Sequence, residues 1–312
     1  MTTASAEKAD SLPRKSADLA RKILEENPVH RKALEAAIAL LSANEAELLE
    51  QYLSYCLGKG LTLDYLAESY LMIVMDTLRE QMYFQQHKKY RYANFAEVAG
   101  HVYFDRDYMS KYMYGLAITA FFWPNHQAIM NFFRKTLPRN RGGKYLEIGP
   151  GHGFFFMTAM ERSSFDEFEG IDISETSVGM TRDILAFYRA GQNQKFSIVL
   201  KDFLKADMPV GSCDAIVMGE VLEHVERPDI FMRRIAELAA DDAYIFITTC
   251  CNAPAVDHIY LFRKAAEVEK LFADSGLTVK ENLILPMAGT SMEKCLSENL
   301  PVNVAYVLEK KK

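Results

Sequence analysis

From about residue 14 to residue 87, apolar side chains recur at spacings of three and four, in ADLARKILEENP, HRKALEAAIALLSA, EAELLEQYLSYCL and LDYLAESYLMIVMDTLREQM. That period gathers them on one face of a helix, and Pro28, Asn44 and the Gly-Lys-Gly at 58–60 interrupt it, so four helices are predicted. The polar, glycine-bearing stretch LPRNRGGK at 137–144 reads as a linker. Beyond it come short apolar runs: YLEIG (145–149), FEGIDI (168–173), FSIVL (196–200), CDAIVMG (213–219), AYIFITT (243–249), VKENLIL (279–285) and VNVAYVLE (302–309). Helical periods separate the first five, at 152–162, 174–190 and 226–240, and another at 264–275 precedes the sixth. Strands alternating with helices predict an α/β fold, a mainly parallel seven-stranded sheet covered on both faces. The division expected is an α-helical segment, 1–137, followed by the sheet domain, 138–312.

Composition adds little to this and excludes more. With 49% hydrophobic and 25% charged residues over 312, the chain is ordinary globular protein. A net charge of -6 offers no basic field for a phosphate backbone, so no nucleic acid partner is expected. The longest apolar run, YGLAITAFFW at 114–123, falls well short of the roughly 18 residues that span a bilayer. No membrane partner is expected either. The opening MTTASAEKADS lacks the pattern of a secretory signal, and the five scattered cysteines suit neither disulfides nor a zinc site, so a cytoplasmic location is expected. Aromatic residues are unevenly spread: 15 of the 36 fall between 83 and 133.

The candidate chemistry begins at Glu147-Ile148-Gly149-Pro150-Gly151-His152-Gly153, where the first strand turns into its helix. In open α/β sheets ligands lie at that edge, and glycine there permits positive φ and close approach to the backbone. The stretch is not GxxxxGK[ST], and Phe154 stands where the third glycine of GxGxxG belongs, so a phosphate loop fails and a dinucleotide site is weakened. Asp172 ends the second strand, where a carboxylate accepts both hydroxyls of a ribose. Asp202 and Phe203 follow the third strand, where an acid meets an adenine amino group and a ring packs on the base.

Together with GEVLEHV at 219–225, these residues resemble the class I S-adenosylmethionine-dependent methyltransferases over about residues 138–312. The resemblance implies a doubly wound, Rossmann-like sheet with a final antiparallel pair. It also implies cofactor contacts from Glu147, Gly149, Gly151, Gly153, Asp172, Asp202, Phe203 and Glu220, with S-adenosylmethionine as the cofactor. It implies nothing comparable for residues 1–137.

For the acceptor side, His258 follows the fifth strand and is the proposed base, without adjacent Asp257 as its partner. Glu220, Glu223 and His224 form ExxEH. A helical start there would place two carboxylates and an imidazole on one face, with metal-ligand chemistry. The stretch resembles that of quinone-biosynthesis and small-RNA O-methyltransferases that hold a divalent ion, and also that of metal-free relatives, so no metal is assigned. The ring-rich segment offers Tyr103, Tyr108, Tyr112, Trp123 and His126, with His224, as a substrate lid. The expected function is methyl transfer, most readily to oxygen, on a small aromatic or lipophilic metabolite, in a chain whose helical segment roofs the cleft and pairs two copies. The alternatives are metal-assisted O-methylation and an inactive cofactor-binding partner subunit.

Overall fold

The structure is a computed structural model that describes residues 12–188 and 194–311. The helical segment is built from α1 (Arg14–Glu26), α2 (Arg31–Leu40), α3 (Ala43–Gly58), α4 (Leu63–His87), α5 (Phe95–Ala99), α6 (Arg106–Phe122) and α7 (Pro124–Thr136). The first four are those predicted from periodicity, with one shift of boundary. Asn44 lies inside α3, because Ser42 caps it: the Ser42 hydroxyl accepts from the Glu45 N–H while the Glu45 carboxylate accepts from Ser42 N, a capping box.

The sheet domain runs β1 (Lys144–Ile148), α8 (Phe154–Arg162), β2 (Glu167–Asp172), α9 (Glu175–Tyr188), β3 (Phe196–Leu200), β4 (Cys213–Gly219), α10 (Pro228–Leu238), β5 (Ala239–Cys251), α11 (Ala265–Asp274), β6 (Leu277–Pro286), α12 (Met292–Glu298) and β7 (Val302–Lys310). All seven expected strands are present. Their order is β3-β2-β1-β4-β5-β7-β6, parallel through β5, with β7 inserted antiparallel between β5 and β6. The order reverses between β1 and β4, which is where an open sheet of this kind leaves a crevice for a ligand. Helix α12 lacks a counterpart among the expected helices; at seven residues it is too short to show a period.

Side chains alternate across β1. Tyr145 faces one apolar cluster and Leu146 and Ile148 the other. The second cluster is closed by α10 and α11. The first is shared: it runs without a break from Leu19, Ile23 and Leu53 in the helical segment, through Phe121 and Phe133, to Phe154, Phe156 and Phe246 on the sheet side. The Tyr52 and Phe121 rings meet Phe154 at centroid distances of 5.7 and 5.4 Å. The linker at 137–144 therefore separates two types of secondary structure but not two cores. Its consequence for function is position: α6 and α7 are held against the carboxyl edge of the sheet. No described helix is long and apolar enough to cross a membrane.

Candidate active site

The glycine turn after β1 has the backbone that its sequence requires. Gly149, Gly151 and Gly153 all have positive φ, at 65°, 53° and 76°. A Cβ on Gly149 would sit 2.8 Å from Val221 Cγ2, so the turn is also closely packed. Above it opens a cavity of about 640 Å³, within the usual range of small-molecule sites. Gly149, Gly151, Asp172, Asp202, Phe203 and Glu220 line it, and so do Tyr103, Tyr112, Trp123, His126, His224 and His258. Residues separated by up to about 150 positions in the sequence thus share one wall.

Three of the expected site residues do not line it. The Glu147 side chain points to the other side of β1, where the Tyr145 hydroxyl donates to its carboxylate, because alternate residues of a strand face opposite ways. Gly153 stands at the start of α8 under α9, where a Cβ would lie 3.2 Å from Thr181 Cγ2; it serves helix packing. Tyr108 is turned away from the cavity: its hydroxyl donates to Asp76 Oδ2 at 2.9 Å, and its ring borders a separate hollow of about 200 Å³. Tyr112, one turn on, stacks beside it and reaches the cavity.

Glu147 carries a prediction. Burial pushes its carboxyl up to about 8, so it stays protonated in the folded protein over pH values at which the unfolded chain has lost that proton. Stability must fall as pH rises from about 4.5 towards 8, since the native state alone holds the proton in that window. In Glu147→Gln the amide oxygen still accepts from Tyr145. Urea midpoints measured across the window are expected to show the variant gaining on the wild type as pH rises; a constant difference would contradict the assignment.

On the donor side, Asp172 has the features a ribose-binding carboxylate needs. Its Oδ1 accepts from Ser174 N at 2.8 Å, and burial pushes its pKa up to about 6. A ligand that supplies hydroxyl donors would relieve that penalty. Asp202 is engaged otherwise: Oδ1 caps the Phe203–Lys205 turn through Leu204 N, and Oδ2 pairs with Lys205 at 3.0 Å. Phe203 is buried and packs on Phe231, forming a floor at that end.

On the other side, the ExxEH stretch forms no α-helix. Glu220 has φ of 52°, a conformation that costs a non-glycine residue of order 1 kcal/mol, and Leu222–His224 is a single 3-10 turn. The strain brings the Glu220 carboxylate back to β5, where the Thr248 hydroxyl donates to it at 2.7 Å. Thr249 Oγ1 donates to Glu223 at 2.7 Å. Glu223 is fully buried, and burial, followed by the charge of Glu220, pushes its carboxyl well above the ordinary range. Ligand atoms of Glu223, His224 and His258 lie within 4.8 Å of one another, as do those of Glu220, Glu223 and Cys250. The two imidazole rings meet edge to face at 4.7 Å.

The surrounding residues orient this group. His258 Nδ1 donates to the Ala253 carbonyl at 2.6 Å, and burial, more than the nearby His224, lowers its pKa to about 3. Asp257 is not the partner of His258. It bridges Tyr103 and His224, accepting from the Tyr103 hydroxyl at 3.1 Å with His224 Nδ1 3.3 Å from the same oxygen. Sequence spacing held no signal for this, because the bridge joins positions 103, 224 and 257. Phe155 was also hidden: it belongs to the first turn of α8, but its ring lines the cavity against Gly219, while Phe154 and Phe156 are in the core.

Residues 125–282, just over half of the chain, match the Methyltransf_23 family, described as a methyltransferase domain. The chain belongs to that family. This methyltransferase is 29% identical over 108 residues to the ubiquinone biosynthesis O-methyltransferase of Azoarcus sp. (strain BH72), covering 35% of this chain and 44% of that one. It is 27% identical over 146 residues to the enzyme of the same name from Neisseria meningitidis serogroup C, covering 47% and 59%. The chain thus spans about half the length of the curated relatives it matches. Among solved structures, Haemonchus contortus phosphoethanolamine N-methyltransferase 2 in complex with S-adenosyl-L-methionine superposes with a TM-score of 0.52 at 11% identity, covering 71% of this chain and 61% of that one. That likeness bears on the fold. Family and site agree that the cofactor of this methyltransferase is S-adenosylmethionine: the bare turn of Gly149 and Gly151 and the half-buried carboxylate of Asp172 in the cavity wall fit it.

Proposed function

We propose that the protein methylates a hydroxyl group on a small, apolar, aromatic acceptor. The observation that carries this reading is that Glu220, His224 and His258 stand in the wall of a largely apolar cavity that also contains the glycine turn, with ligand atoms of the buried Glu223 within 4.8 Å of theirs. The names of the curated relatives, O-methyltransferases of quinone biosynthesis, support oxygen as the atom methylated.

S-adenosylmethionine supplies an activated methyl group on a sulfonium. The protein must then hold the acceptor in line, exclude water and accept a proton. Tyr103, Tyr112, Leu116 and Trp123 from the helical segment form the apolar roof that does the first two. For the third, His258 Nε2 is the free nitrogen, since Nδ1 is committed to Ala253. With its pKa at about 3, it is a weak acceptor: taking a proton from a phenol of pKa about 10 is uphill by about 7 units, or roughly 9 kcal/mol.

That gap favours a second element. A buried carboxylate, Glu223, and a half-buried one, Glu220, both with raised pKa and beside two imidazoles, are a donor set suited to a divalent cation, which would lower the cost of their ionisation. Glu220, Glu223, His224 and His258 would hold the ion, and a divalent cation there would lower the pKa of the acceptor hydroxyl.

The test is methyl transfer to catechol and to aniline in parallel, with and without a chelator. Transfer to catechol that is lost on chelation and restored by a divalent salt is expected. Transfer to aniline alone would contradict the hydroxyl reading. Catechol methylation indifferent to chelation would return proton removal to His258.

A further inference from the structure

Two histidines in the same cavity, His126 in the first turn of α7 and His152 in the glycine turn, take no part in the chemistry described above. Their hydrogen bonds define which ring nitrogen carries the proton. The Thr119 hydroxyl donates to the Leu116 carbonyl at 2.7 Å, and a carbonyl can only accept. The same hydroxyl oxygen lies 2.9 Å from His126 Nδ1, so that bond runs from Nδ1–H to oxygen, and His126 Nε2 keeps a lone pair. At His152 the opposite holds. The Phe154 main-chain N–H donates to Nδ1 at 3.2 Å, which leaves the ring hydrogen on Nε2. Burial keeps both imidazoles neutral, each with a pKa of about 4. Among the described residues neither Nε2 has a hydrogen-bond partner, and neither is sealed from the open space of the cavity.

The two histidines therefore present one acceptor and one donor to the cavity, with the Trp123 ring 5.0 Å from His126 and with Ile129, Met130 and Phe155 also in the wall. We propose that His126 and His152 recognise a second, neutral polar function on the methyl acceptor, one carrying a donor for His126 Nε2 and an acceptor for His152 Nε2–H, as a carboxamide does. A carboxylate has acceptors only and would face the His126 lone pair. An apolar substituent would leave both nitrogens without partners and without water, which is how buried polar groups reject analogues. The inference rests on the acceptor reading given above and names the acceptor's far end.

The test is titration calorimetry in the presence of S-adenosylhomocysteine, with protocatechuamide, the corresponding methyl ketone and methylcatechol as ligands, against the wild type, His126→Phe and His152→Phe. The wild type is expected to bind the amide about tenfold more tightly than methylcatechol, with the ketone between, and to bind protocatechuate more weakly than the amide. His126→Phe should bring the amide down to the ketone. His152→Phe should remove the advantage of the ketone as well. Equal affinities in the wild type, or variants that weaken all ligands alike, would overturn the proposal. So would variants that weaken S-adenosylhomocysteine and leave the ranking intact, since the pair would then serve the cofactor's amino-acid end. Benzamide and toluene, titrated alongside, separate the two readings. A preference for benzamide that His126→Phe abolishes supports the pair even where the catechol hydroxyls add no affinity, a result that would count only against the hydroxyl acceptor.

Discussion

Asp172→Ala is expected to weaken S-adenosylmethionine binding by about a hundredfold without lowering the melting temperature. Two hydrogen bonds to an ionised carboxylate are together worth about 3 kcal/mol or more, which is two decades in affinity. The fold does not need the group, because its burial already disfavours the charged form and raises its pKa to about 6 in the cofactor-free protein. The same value sets the pH dependence. A carboxylate that accepts from two hydroxyls must be ionised, so wild-type affinity should be level above pH 6 and fall by up to tenfold per pH unit below it. In Asp172→Ala that slope should disappear. Calorimetry at several pH values reads both effects, and an unchanged affinity in the variant would remove Asp172 from the cofactor site.

Glu223→Gln is expected to lower kcat for hydroxyl methylation by roughly a hundredfold or more, while S-adenosylhomocysteine still binds. The substitution keeps an oxygen for the Thr249 hydroxyl and removes a buried group whose charged form is disfavoured both by burial and by Glu220. The variant should fold at least as stably as the wild type, most clearly at high pH, where the wild type must either ionise a buried carboxyl or hold its proton against solvent. A loss of activity then reports on the site. If the carboxylate pair holds a cation, metal content measured on the purified protein should fall in the variant too. Full activity in Glu223→Gln would remove this cluster from the reaction.

The parts of the site legible in the sequence are those that local geometry determines. Gly149, Gly151 and Asp172 sit at the carboxyl ends of β1 and β2, and a parallel sheet brings strand ends together whatever else the chain does. The inner strands β4, β5 and β7 were legible because strands buried on both faces read as nearly unbroken apolar runs, while β3 and β6, at the two edges, are only partly buried and show the signal more weakly. Glu147 misled for a local reason as well: it belongs to the same motif, but strand alternation turns it to the opposite face, towards Tyr145. What could not be read was long-range. Tyr108 and Tyr112 share a helix and a residue type, and only the packing of α6 on α4 decides that one meets Asp76 and the other the cavity. The strained turn at Glu220 replaces the expected helical start, because Thr248 on the neighbouring strand competes successfully for its carboxylate. Likewise, the bridge from Asp257 to Tyr103 and His224 depends on how the helical segment docks on the sheet, which no spacing encodes.

On the proposed function, one cavity holds both the methyl donor and a hydroxyl acceptor, with the glycine turn and the Glu220, Glu223, His224 and His258 cluster serving different ligands. A crystal structure with S-adenosylhomocysteine and catechol tests it most directly. The expected complex has the ribose hydroxyls on Asp172, the homocysteine along Gly149 and Gly151, and the catechol ring beneath Tyr103 and Tyr112 with a hydroxyl on the cluster. A catechol bound outside the cavity, or a nucleoside lying across Glu223 and His258, would contradict it.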